Sequence, residues 1–255
     1  MKTEFDSRIL LQYNNYYVMV MPSLYYIYNY MASNNIIIEN QSLNQNNTYN
    51  SGTEDHRTDG LSVFCLSGDR NVTVNNCVID GQVARWAGKM SHVFNVTFND
   101  CIFKNATARS LDVVRGGEIT FNRCRFENDN IRKIVKSPYT IDECCDIGMK
   151  GGVRDVTFND CVLNDILIGD YSIYDQADRP KARRFTFNNC KNVNGGAIII
   201  RARYFEKSSL VLNNTQAKVW VWPEWFLKLY WMFNRKFGDT RKFDGWNVID
   251  AEEKL

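Results

Sequence analysis

The sequence predicts an all-β chain: a right-handed parallel β-helix, or solenoid, of about seven or more coils, closed by a short aromatic amphipathic C-terminal helix or cap. Three observations predict it. The phrase "VTFNDC" occurs at 96–101 and again, letter for letter, at 156–161, with near-copies "VTVNNC" at 72–77, "ITFNRC" at 119–124 and "FTFNNC" at 185–190. Aligned on the last residue, these copies lie 24, 23, 37 and 29 residues apart, spacings that suit the rungs of a solenoid. Within each copy apolar and polar residues alternate, the pattern of a half-buried strand.

Two further copies, "IIIENQ" at 36–41 and "LVLNNT" at 210–215, extend the series to seven. The first and third columns are apolar throughout: Ile36/Ile38, Val72/Val74, Val96/Phe98, Ile119/Phe121, Val156/Phe158, Phe185/Phe187 and Leu210/Leu212. Between them stand Ile37, Thr73, Thr97, Thr120, Thr157, Thr186 and Val211, β-branched residues suited to the outer face of a strand. The fourth column reads Glu39, then Asn75, Asn99, Asn122, Asn159, Asn188 and Asn213. Asparagine tolerates the left-handed backbone and bonds to copies of itself, so this column predicts a sharp corner and a hydrogen-bonded ladder. One exposed residue later come Cys77, Cys101, Cys124, Cys161 and Cys190, small enough to turn inward past a corner. Two residues on, Ile79, Phe103, Phe126 and Leu163 point inward again. A coil of about 24 residues thus holds three short strands, with rungs about 4.8 Å apart. The two longest intervals predict loops around 44–60 and 128–154.

The repeat divides the chain into residues 1–34, an N-terminal cap or first coils; 35–219, the solenoid; and 220–255, a C-terminal capping or contact segment. The first segment contains "YNNYYVMVMPSLYYIYNYM" (13–31), whose alternation in "YVMVM" favours strand. At the other end, "VWVWPEWFLKLYWMFNRKFG" (219–238) breaks the repeat. Pro223 suits a first helical turn and Gly238 a helix end, which places Phe226, Leu229, Tyr230, Phe233 and Phe237 on one face. An open solenoid end is an unpaired edge over an apolar core, and such a segment would cover it.

Composition narrows the function classes. With 44% hydrophobic residues and a net charge of +2, the 255-residue chain has no basic field that argues for nucleic acid. No run of about 18 apolar residues predicts a membrane span, and "MKTEFDSRIL" lacks the pattern of a signal peptide. Of eight cysteines, five end the repeated phrase, and none has the close spacing of a zinc site with His56 or His92, so they read as structural thiols. Sequons occur at Asn46, Asn71, Asn95, Asn105 and Asn213, and a glycan at the stacked positions would crowd the rungs. Together these favour assembly in a reducing cytoplasm, in or beside a virion.

The stretch "SGDRNVTVNNCVIDG" (67–81) resembles the repeat of the pectin-lyase-like superfamily, which includes polygalacturonases, pectate lyases and viral tail or receptor-binding proteins. The resemblance covers roughly residues 35–219 and implies the fold; in that superfamily the repeat itself does not touch substrate. The polygalacturonase pattern runs N-T-D, D-D, G-H-G, R-x-K. Here "RTDGLSV" (57–63) puts Asp59 at the first motif and "IIIRARYF" (198–205) offers Arg201 and Arg203 at the last. The expected D-D zone reads "DGQVARWAG" (80–88), and G-H-G is missing. A lone carboxylate does not supply both the acid and the base of glycoside hydrolysis, so Asp59 reads first as a turn residue.

A lyase needs a base and cations that neutralise a uronate. Asp112 and Arg115 in "LDVVRGG", with Asp146 and Lys150 in "CCDIGMKGG", would share one outer wall if the rungs stay in register, with Arg85 one coil away. Asp112 and Asp146 would hold calcium, and Arg115 or Lys150 would act as base. The expectation drawn from all this is a non-enzymatic or catalytically degenerate β-helix, a viral, phage-like structural or host-glycan-recognition component that needs no cofactor. Its contact candidates are Asp59, Arg85, Asp112, Arg115, Arg201 and Arg203, and its partners a glycan or other virion proteins, homo-oligomers included. The alternative is a polysaccharide lyase or glycoside hydrolase acting on an acidic polysaccharide. The viral part of this expectation rests on fold-level analogy.

Overall fold

Valine, isoleucine and phenylalanine at alternate positions, with threonine between them, favour an extended backbone buried on one side. The computed structural model describes residues 9–13, 16–20, 35–51, 62–127, 145–150, 153–168, 184–202, 210–221 and 247–250. In it every copy of the phrase is a strand. They are Ile36–Glu39, Arg70–Asn75, the second halves of Trp86–Asn99 and Arg109–Asn122, Arg154–Asn159, Phe185–Asn188 and Leu210–Asn213. These pair in chain order, all parallel, with like columns side by side. They form the ladder face.

Two other faces complete the turns. A short face stacks Ser42–Leu43, Val78–Asp80, Ile102–Lys104 and Arg125–Glu127, again parallel. A third face stacks Tyr49–Asn50, Ser62–Ser67, the first halves of Trp86–Asn99 and Arg109–Asn122, then Cys145–Lys150, Asp165–Ile168, Ile198–Ala202 and Ala217–Val221. An all-β chain whose parallel strands return repeatedly to the same faces has the arrangement of a β-helix or solenoid, and no helix occurs among the described residues.

Parallel register sets like against like, and the core shows the result. The rings of Phe98, Phe121, Phe158 and Phe187 stack face to face at 5.1, 5.0 and 4.8 Å. All four are fully buried, each contributing roughly 1.5–3 kcal/mol of transfer free energy. At the corner the fourth column forms the expected ladder: Asn99 Nδ2 donates to Asn75 Oδ1 at 2.8 Å, Asn122 to Asn99 at 2.8 Å and Asn159 to Asn122 at 2.8 Å. The left-handed backbone, however, belongs to the fifth column and not the fourth. Asn40, Asn76, Asp100, Arg123, Asp160, Asn189 and Asn214 all have φ between 46 and 55°. The fourth residue is still strand, its side chain outward by alternation, so the reversal of direction falls one residue later. Arg123 adopts this conformation while making a bidentate pair to Asp100, at 2.7 and 2.8 Å.

Two expectations about loops are also revised. Cys145–Lys150 is a strand inside the region expected as a loop over 128–154, because Ile147 and Met149 supply alternate buried side chains. Tyr49–Asn50, inside the 44–60 region, adds a third-face strand between the first two copies of the phrase, where the repeat predicts a single one. The chain divides into two compact units, Met1–Asn34 and Asn35–Leu255. In the first, Ile9–Tyr13 pairs antiparallel with Tyr16–Val20. In the second, Ala217–Val221 pairs on its far side with an antiparallel strand, Asn247–Asp250, which covers the last edge of the third face. The helix expected from Pro223 lies outside the described residues. Among those residues no helix is long and apolar enough to cross a membrane.

Candidate functional site

The third face carries the charged side chains of interest. Its inward column runs Leu111, Ile147, Ile166, Ile200 and Val219, all in the core. The neighbouring column runs Lys89, Asp112, Gly148, Leu167 and Arg201. Asp112 and Arg109 are each 1% exposed and form an ion pair within one strand. Gly148 makes room for it: a Cβ there would lie 2.6 Å from Arg109 Nη1. One rung further, Asp165 pairs with Arg201 at 2.8 Å and accepts the backbone N–H of Asp146 at 2.9 Å. The Asp146 carboxylate in turn accepts the backbone N–H of Asn164 at 2.6 Å.

The charges therefore form a seam over four successive strands, buried at Arg109, Asp112 and Asp146 and half-buried at Asp165 and Arg201, with Cys145 among them. Asp146 is 3% exposed; burial, and then the adjacent Asp165 carboxylate, push its pKa up to about 7. Burial likewise raises the Cys145 thiol to about 11. Asp112 and Asp165 each have a guanidinium partner, and among the described residues no three His, Cys, Asp or Glu side chains converge to hold a metal ion.

Of the residues singled out in the sequence, Asp112, Asp146 and Arg201 come together here, the two carboxylates buried and Arg201 half-buried. Arg115 stands apart. It sits at the bend toward the ladder face with φ 54°, its Nη1 3.4 Å from His92 Nε2, while His92 Nδ1 bonds Ser91 Oγ at 2.9 Å. Arg85 lies over the Trp86 ring at 4.8 Å, with Lys89 at 5.2 Å from the same ring. Lys150 ends its strand, and its side chain lies outside the described residues, as do Asp59 and Arg203 entirely.

Three participants escaped sequence reasoning. Arg109 pairs with Asp112 inside the single stretch "ARSLD", and Asp165 in "NDILI" meets Arg201 and the Asp146 N–H only once the register aligns their strands. Arg154 reaches the Phe94 ring at 5.9 Å across Gly117, opposite Arg70 at 5.0 Å, a pairing visible only once the three strands lie side by side. Comparison of the chain with protein-family models, with curated proteins and with solved structures finds no match.

Proposed function

We propose that this chain is a right-handed parallel β-helix of the pectin-lyase-like kind, of about seven coils with a C-terminal helical cap, and that it works by attachment without catalysis. It would serve as a phage-like structural or host-glycan-recognition component, assembled in the cytoplasm into a virion. One observation carries the reading: the carboxylates that a lyase would use for calcium are buried, and Asp112 is neutralised by Arg109 within its own strand. A carboxylate already paired with a guanidinium has little left to offer a cation or a substrate. The test is incubation with a panel of acidic and neutral polysaccharides, with and without calcium, recording new reducing ends, unsaturated uronates and binding. The reading expects binding without product. Product formed by the wild type would overturn it.

A second reading rests on a specific observation. Asp146, which burial raises to about 7, stands beside the Asp165 carboxyl, and a carboxyl group held protonated near neutrality is the general acid that glycoside hydrolysis uses. Reducing ends that vanish in Asp146→Asn would favour that enzyme.

A further inference from the structure

Among the described residues, the ladder face presents outward a grid with no counterpart on the other faces. On five consecutive rungs its two outward residues are Thr73 and Asn75, Thr97 and Asn99, Thr120 and Asn122, Thr157 and Asn159, and Thr186 and Asn188. Each threonine lies in register with the next, and so does each asparagine. All ten are half-buried and none is charged.

The grid is regular because of what lies beneath it. The residue between threonine and asparagine is Phe98, Phe121, Phe158 or Phe187 on the last four of these rungs, and those rings stack 4.8 to 5.1 Å apart with planes within 11°. Rungs are therefore evenly spaced and little rotated. Along each strand the two polar residues are two positions apart, about 6.6 Å. The ladder bonds, 2.7 to 2.8 Å from Asn99 to Asn188, lock each amide in orientation and leave it one N–H and one lone pair facing solvent. Threonine adds a hydroxyl beside a methyl on a stiff χ1.

We propose that this face binds ice. Its two spacings are close to the two oxygen repeats on the prism face of hexagonal ice. A charged surface orients water around each ion, whereas a neutral, rigid grid of hydroxyl, amide and methyl groups lets first-layer waters bond to one another as well as to the protein. Two other occupants suit it less well. On these ten positions a sugar ring finds no aromatic platform and a second copy of the chain no large apolar anchor; the exposed Ile37 continues the threonine column only at the rung before. The inference is independent of the attachment reading, because none of the contact candidates named above lies on this face.

The experiment measures thermal hysteresis and ice-crystal habit with the full chain, alongside Thr120→Lys, Thr157→Ala and the off-face control Val83→Lys, whose position is 73% exposed. Circular dichroism confirms that each is folded. Wild type and Val83→Lys are expected to facet ice and to show hysteresis that rises with concentration. Thr120→Lys is expected to abolish both, and Thr157→Ala, which the fold tolerates more easily, to reduce them. Wild-type protein that leaves ice unshaped overturns the proposal, including the case in which it instead binds a neutral glycan or dimerises through Thr120. Hysteresis undiminished in both threonine variants overturns it as well.

Discussion

At the ladder corner, each thiol of the cysteine column lies within reach of two backbone carbonyls. Cys190 Sγ is 3.4 Å from Asn188 O and 3.5 Å from Phe158 O of the rung before, and Cys124 repeats the geometry at 3.4 and 3.5 Å. The seventh copy replaces cysteine with Thr215, whose Oγ1 meets the equivalent carbonyls of Asn213 and Phe187 at 3.0 and 3.3 Å. The donor matters more than the sulfur. Cys190→Thr is therefore expected to fold with a loss below about 1 kcal/mol, and Cys190→Ala to lose about 1–2 kcal/mol through the missing donor and the small cavity. Chemical denaturation of the pair checks this, and equal losses would contradict it. Much at this scale was legible in the sequence, since identical residues at a fixed offset announce that they stack. The left-handed fifth column was harder to see: six of its seven residues are Asn or Asp, which tolerate that backbone, but the more uniform asparagine column one position earlier has the same turn chemistry, and Arg123 interrupts the fifth.

The third face shows why strands carry information that residues do not. Periodicity places Asp112 and Asp146 outside the core, and from sequence that means water. Here they are covered: Arg109 meets Asp112 from three residues away in the same strand, and Asp165 becomes a neighbour of Asp146 only through the register of two strands. The consequence is a measurable pH dependence. An ordinary unfolded aspartate titrates near about 3.9, and folded Asp146 near about 7, so the folded state binds more protons between those values. This residue's contribution to stability therefore falls as pH rises through that window, by up to about 1.4 kcal/mol per pH unit. Asp146→Asn, neutral at every pH, is expected to melt higher than wild type at pH 8, the difference closing toward pH 4. Thermal melts across that range check it, and a variant that melts lower at pH 8 would show that the ionised carboxylate stabilises the seam.

Over the whole molecule, the spacing between copies varies from 23 to 37 residues while the register does not vary at all. The described strands keep the same partners and columns whatever the interval, so the core of the ladder face is the same across short and long spacings. That is why the fold could be read from one phrase while the site could not: the phrase fixes the rungs, but what covers a face depends on segments that carry no repeat. The central claim is that one phrase makes one rung, stacked in order along a single face. Spin labels at Thr73→Cys and Thr186→Cys test it most directly, because the described native cysteines are buried and labelling will favour the two half-exposed, outward-facing sites. Four rungs separate these positions, so pulsed dipolar spectroscopy should give a narrow distribution around about 19 Å, shortening to about 14 Å for Thr73 with Thr157. A broad distribution, or a distance that does not shorten by one rung between the two pairs, would contradict the stack.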